Sequence, residues 1–198
     1  ERDNPTLVKG SGSKAEITMD SYLTSIGYKL GQVVNVNVDS SNRLTIDSSG
    51  RLTNQGVIEA GVNADNSRNA QGDLRITAQV IDNRGRTLAA SRNLCVSTQE
   101  LAHQGGTLSA GAYARVDANL LDNQNRGRII AGGDLGSYSD TLLNSQGGLL
   151  SSGGVLGLNS GSLINRNGEL SSLGQATLRV ASLDNVAGLL SAGQGLDL

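Results

Sequence analysis

Five arginines follow closely on one recurring residue of this chain: Arg84, Arg86, Arg126, Arg128 and Arg166. A guanidinium is a planar fork of donors that matches carboxylate and sulfate, so a stacked set of them would bind an anionic glycan. Arg75, Arg115 and Arg179 form a second set, read as the outward slot between paired apolar residues, a slot Cys95 and Asp197 share. The plainer reading of both sets is a solvated face that resists lateral aggregation. Cys95 is the only cysteine, which leaves no intrachain disulfide and no Cys-based metal site. His103 is the only histidine, and as a catalyst it would need a nucleophile or carboxylate held in fixed geometry. The acids Glu59, Asp73, Asp82, Glu100, Asp117, Asp122, Asp134, Asp140, Glu169 and Asp184 are dispersed rather than clustered. A glycan-cleaving solenoid needs its carboxylates gathered in one groove, so that enzyme reading is the weakest of three. No catalytic residue, metal ligand or cofactor is assigned. The glycine pairs are turn glycines rather than phosphate cradles.

The elements that would carry these residues follow from a repeat. Leu-x-Asn, a Gly, then Leu-x-(Ala/Ser)-Gly recurs with its Asn position at Asn54, Asn83, His103, Asn123, Asn144, Asn165 and Asn185. The successive intervals are 29, 20, 20, 21, 21 and 20 residues. A period near 20 means that each unit buries its apolar side only against its neighbours. Each unit holds three in-out-in patches of period two, such as Leu101-x-His103, Leu108-Ser109-Ala110 and Leu94-x-Val96. Alternation of that kind makes strands with one inward face, so the fold class is an all-β, parallel β-solenoid with three short strands per 20–21-residue coil. Seven or eight coils at about 4.8 Å would make a rod roughly 35–40 Å long. The Asn column reads as a ladder of side-chain amides, with His103 a substitution within it. A leucine-rich repeat is excluded by its different Leu and Asn spacing and by the lack of helical periodicity.

Composition agrees with a narrow stacked core. There are 27 Gly, four Tyr and no Phe or Trp. A net charge of -2 gives no electrostatic reason for nucleic acid or an acidic membrane as partner. No run of 18 apolar residues exists, so no transmembrane helix and no membrane insertion are expected. Residues 1–42 differ from the rest: they hold every Lys, the only Pro and the only Met. They are read as an irregular N-terminal segment, an imperfect first coil or a cap, with a strand at Val34–Val38 and a flexible loop at Gly10–Ser13. Residues 43–198 are read as the β-helix repeats, with a polar insertion loop at about 62–71. A naked last coil would be an open sheet edge, so the chain is expected to continue past Leu198.

The units Ile81-Asp82-Asn83-Arg84-Gly85-Arg86-Thr87-Leu88-Ala89-Ala90, Leu121-Asp122-Asn123 with Arg128-Ile129-Ile130-Ala131-Gly132, and Leu183-Asp184-Asn185 with Gly188-Leu189-Leu190-Ser191-Ala192-Gly193 resemble filamentous haemagglutinin repeats. The resemblance covers about residues 43–198. It implies a right-handed parallel β-helix in a two-partner-secreted exoprotein of Gram-negative bacteria, an adhesin or a contact-dependent growth inhibition effector. It further implies export through an outer-membrane transporter, and secretion or display at the cell surface. It carries over no catalytic residue. The function expected is a structural shaft presenting a distal binding or toxin domain. The alternatives are a module that itself binds a host glycan or receptor, and a β-helix polysaccharide-cleaving enzyme.

Overall fold

A computed structural model describes residues 14–17, 34–38 and 43–198. Two short strands, β1 (Lys14–Ile17) and β2 (Val34–Val38), come first. The expected loop at Gly10–Ser13 lies outside the described residues. In the first coil the three apolar patches are three strands, β3 (Arg43–Ser48), β4 (Arg51–Thr53) and β5 (Val57–Val62). In later coils two patches run on as one long strand and the third forms a short one. The second to fourth coils are β6 (Asp73–Asp82) with β7 (Thr87–Ala90), β8 (Leu94–Ala102) with β9 (Thr107–Ala110), and β10 (Ala114–Asp122) with β11 (Arg128–Ala131). The fifth to seventh are β12 (Leu135–Leu143) with β13 (Leu149–Ser152), β14 (Leu156–Ile164) with β15 (Glu169–Ser172), and β16 (Gln175–Asp184) with β17 (Leu189–Ala192). The last strand, β18 (Gly195–Asp197), opens an eighth coil. The long strands bend where their pairing skips a position, as between Ala118↔Thr98 and Leu120↔Glu100. Small residues (Ala78, Ala118, Ser139 and Ser160) fill the inside of that bend.

Stacking gives two sheets, one of eight strands from β1 to β17 and one of ten from β18 to β2. Every coil-to-coil pairing is parallel, whereas β1 on β5 and β2 on β3 are antiparallel. The solenoid is therefore as expected, and the strand expected at Val34–Val38 is present. It joins the first coil in the opposite direction to the stack. No helix among the described residues is long and apolar enough to cross a membrane.

In-register stacking turns the patches into columns. Leu52, Ile81, Leu101, Leu121, Leu142 and Leu163 form one, and Ile58, Leu88, Leu108, Ile129, Leu150 and Leu170 another, all withdrawn from solvent. Each such side chain stabilises the fold by about 1.5–3 kcal/mol relative to exposure. Leu and Ile suffice because each coil leaves room for one layer of aliphatic side chains. Ser137 and Ser139 replace apolar residues in the coil of Leu135, the least regular in sequence. The Ser139 and Ser160 hydroxyls meet at 3.0 Å across the inside of the bend.

The turn after each ladder residue explains the alternation between 20 and 21. The second residue past the column takes a left-handed backbone, with φ of 64° at Gly85, 65° at Gly105, 52° at Asn125, 56° at Gln146, 54° at Asn167 and 53° at Ala187. Where the interval is 21, a second left-handed residue follows, Arg126 at 66° and Gly147 at 81°. The extra residue is thus absorbed in this turn and the strands keep register. The glycine that follows has its own reason. A Cβ on Gly168 would sit 1.8 Å from the Asn144 carbonyl of the preceding coil.

One expected alignment is corrected. Arg75 and Arg115 share a column with Cys95, and that column runs on through Gly136, Gly157 and Thr177 to Asp197. Arg179 is outside it, because Ala176 rather than Leu178 stacks on Leu156, which moves Arg179 two residues along the strand beside Asn159. Spacing alone favoured the larger apolar pair; the buried column accepts Ala.

Candidate functional site

The asparagine turn gathers most of the polar chemistry of the chain. Asn54, Asn83, His103, Asn123, Asn144 and Asn165 are all buried. Their side chains bond along the stack in one direction. Asn54 Nδ2 donates to Asn83 Oδ1, Asn123 Nδ2 to Asn144 Oδ1, Asn144 Nδ2 to Asn165 Oδ1 and Asn165 Nδ2 to Asn185 Oδ1, each at 2.7 Å. The same amides tie down the turns. Asn144 Nδ2 also reaches the carbonyl of Glu169 at 3.0 Å and that of Gly148 at 3.1 Å. The ladder satisfies buried backbone acceptors as well as its own amides.

His103 interrupts this order. Asn83 Nδ2 lies 3.1 Å from His103 Nδ1, and His103 Nε2 lies 3.1 Å from the Arg128 carbonyl. An amide donor facing Nδ1 and a carbonyl facing Nε2 define the neutral tautomer with its proton on Nε2. Burial pushes the imidazole pKa down to about 4, against the Arg128 carbonyl, which pulls the other way. The consequence falls on the next rung: Asn123 Oδ1 is buried and unpartnered, because the donor that would serve it bonds Arg128 instead.

The slot before the ladder residue holds Asp82, Asp122 and Asp184. Arg84 bonds Asp82 at 2.8 and 2.6 Å, and Arg51 of the preceding coil adds a bond at 2.7 Å. The Arg84 bonds hold the Asp82 carboxyl near pKa 2 against its burial, with Arg51 helping. Gln104 and Gln124 clasp Asp122 in the same way, and Arg166 bonds Asp184 at 2.5 Å.

The five arginines of the turns are exposed, and the structure separates them. Arg84 and Arg166 are engaged with their own aspartates. Arg86, Arg126 and Arg128 show no side-chain hydrogen bond or ion pair among the described residues. Arg126 and Arg128 alone line a common hollow, of about 420 Å³, floored by Gly147 and Gly148 with Glu169 at its far side. At the insertion, Val62 is buried and residues 63–71 project, held by Asn63, Asn69 and an Arg68–Glu59 ion pair of 2.8 Å. No three His, Cys, Asp or Glu side chains are grouped to hold a metal among the described residues.

The haemagglutinin repeat matches residues 30–56, 60–137, 102–175 and 138–198, most of the chain. The chain belongs to the haemagglutinin repeat family. It is a filamentous-haemagglutinin-type repeat region of a secreted exoprotein, and its general role is that of a structural repeat. The haemagglutinin repeat starts at residue 30, ahead of the boundary at 43 drawn from composition. No curated protein and no solved structure matches the chain. Within the haemagglutinin repeats, the sequence pattern had no signal for the orphaned Asn123 Oδ1 or for the Arg51–Asp82–Arg84 clamp. Both depend on which side chains meet across coils. Tyr138 and the glycines beside it carried a weak signal, an aromatic in the least regular unit of a chain nearly without aromatics.

Proposed function

We propose that this region is a shaft segment of a Gram-negative cell-surface exoprotein, an adhesin or a contact-dependent growth inhibition effector, that holds a distal binding or toxin domain away from the cell. The observation that carries the reading is the parallel in-register stacking of like residues through seven coils. Such a stack is quasi-one-dimensional, so added coils lengthen the rod at little cost to each coil. The absence of catalysis is part of the same reading: His103 is sealed with both ring nitrogens bonded, and Asp82 is neutralised by two arginines. An export route through an outer-membrane two-partner secretion transporter is supported by the single Cys and the scarcity of bulky aromatics, which suit a chain that crosses a pore unfolded and then gains stability coil by coil. In this reading β1 and β2 cap the first coil, covering two parallel edges that would otherwise template association. The Asn column serves to lock the turns.

The test is deletion of residues 124–165 from the full-length exoprotein, which joins Asn123 to Arg166 and removes two whole coils in phase. Secretion should persist, while adhesion or toxin delivery by the distal domain should fall with the shorter reach. Undiminished delivery would remove the shaft reading.

A second reading, a module that binds a host glycan or receptor through the arginine turns, rests on Arg126 and Arg128 sharing one hollow. Heparin-like glycan binding should drop in an Arg126→Ser/Arg128→Ser variant, and equal binding would dismiss it.

A further inference from the structure

On the outer face of the ten-stranded sheet, one column of side chains stops. It carries Arg75, Cys95 and Arg115, then Gly136 and Gly157, and resumes at Thr177. Glycine inside a strand weakens it and often marks close approach of another molecule. No local packing demands glycine at 157, where an added Cβ would meet nothing within 4 Å. At 136 it would meet only the Tyr113 hydroxyl, at 3.6 Å.

The gap opens a hollow of about 240 Å³, and a second of about 340 Å³ lies alongside; Tyr138, Arg115 and Asp117 line both. Together they fall within the roughly 300–1,000 Å³ of small-ligand sites. Tyr138 is 58% exposed in a chain with almost no aromatics. Tyr138 lines the first hollow with both glycines, and the Tyr113 hydroxyl reaches the edge of the gap at Gly136. Around them the polar groups are of mixed kind. Arg115 Nε bonds Asp117 Oδ2 at 2.7 Å, which leaves Asp117 Oδ1 buried with no partner. Across the gap, Asn159 and Arg179 have no side-chain hydrogen bond among the described residues.

We propose that this face binds a pyranose glycan bearing a carboxylate, of the uronic acid class. An exposed tyrosine ring offers a negative π-face to the C–H face of a sugar ring. The Asp117 carboxylate, a third exposed and lining both hollows, accepts from a hydroxyl, which a sugar supplies and a sulfate does not. The Asn159 amide takes a further hydroxyl. Arg179 takes the carboxylate: Arg115 is paired with Asp117, Asp140 lines only the second hollow, and Arg179 in the first has no ion-pair partner among the described residues. This site is separate from the Arg126–Arg128 hollow and from the shaft role, and it stands or falls apart from both.

The experiment titrates the 198-residue chain with tri-galacturonate and, in parallel, with a neutral cello-oligosaccharide, following tyrosine emission, which no Trp masks. Tri-galacturonate should bind saturably and at least tenfold more tightly than the neutral sugar. Gly157→Val fills the hollow while adding a residue that favours strands, so it should weaken binding at least tenfold with an unchanged thermal midpoint. Tyr138→Ala, which removes the reporting ring and is therefore titrated by calorimetry, should do the same. Arg179→Gln should reduce the acidic sugar to the level of the neutral one, and Arg126→Ser/Arg128→Ser should have no effect. No saturable binding by the native chain, binding untouched by Gly157→Val, or equal affinity for both sugars would overturn the proposal.

Discussion

The ladder has two halves that differ by one residue. From Asn123 to Asn185 every rung is an amide: Asn144 and Asn165 accept from behind and donate forward, Asn123 only donates along the column and Asn185 only accepts. From Asn54 to His103 the chain of bonds is equally continuous, but it ends on an imidazole that turns its donor aside to the Arg128 carbonyl. The fold tolerates this because the imidazole still accepts from Asn83 and remains neutral. The cost is displaced onto Asn123, whose carbonyl oxygen is left dry. A periodic fold thus absorbs a local defect by passing it to one neighbour, as expected when stability is a sum of nearest-neighbour terms.

Truncation on the two sides of the joint should separate the halves most clearly. Asn144→Ala removes a fully bonded rung, stranding Asn165 Oδ1 and taking the amide donor from the Gly148 and Glu169 carbonyls, of which Gly148 keeps the Glu169 N–H, and should cost roughly 3 kcal/mol. Asn123→Ala removes a rung already half unpaired and should cost roughly 2 kcal/mol. Urea midpoints of the two variants check the order, and equal losses would mean that the orphaned oxygen carries no penalty.

The next test repairs the joint. His103→Asn should supply the missing donor to Asn123 and stabilise the chain by about 1–2 kcal/mol at pH 7. It should also change the response to acid. The folded pKa of His103 is lowered from 6.5 to about 4, so between those values the unfolded chain binds the extra proton. The stability tied to neutral His103 is therefore complete above pH 6.5 and is lost as pH falls toward 4, by on the order of 3 kcal/mol. The variant should lack that step in a series of thermal melts.

Asp82 gives a smaller step at lower pH. Its folded pKa is lowered from 3.8 to about 2, so its contribution is present above pH 3.8 and disappears as pH falls through 2. With Arg51 and Arg84 both partly in water, that contribution is about 1–2 kcal/mol. Asp82→Asn should remove this step and leave the His103 step intact. The smallest effect concerns the left-handed turn position. Ala187 holds φ 53° where Gly85 and Gly105 stand in other coils. Ala187→Gly should stabilise the last turn by about 1 kcal/mol, read from a urea midpoint.

Much of this was legible beforehand, because a period is a global property. The spacing of Leu and Asn set the coil, the number of coils and the membership of His103 in the Asn column. What escaped was local and lateral. Ala176 in place of a larger apolar residue shifted the apparent position of Arg179. The engagement of Arg84 and Arg166 by aspartates, against the open Arg126 and Arg128, turned one apparent stripe into separate sites. The gap at Gly136 and Gly157, with exposed Tyr138 beside it, is a break in an outward column that the period does not mark.

By itself the sequence determined the solenoid, since inward aliphatic residues at period two, repeated every 20 or 21 positions, can be buried only by stacking coil on coil. The tertiary structure alone decided the direction in which β1 and β2 join the first coil, which amide is left without a donor, and where the outer face opens. Those depend on contacts between residues some twenty or more positions apart, whose geometry exists only once the columns have formed.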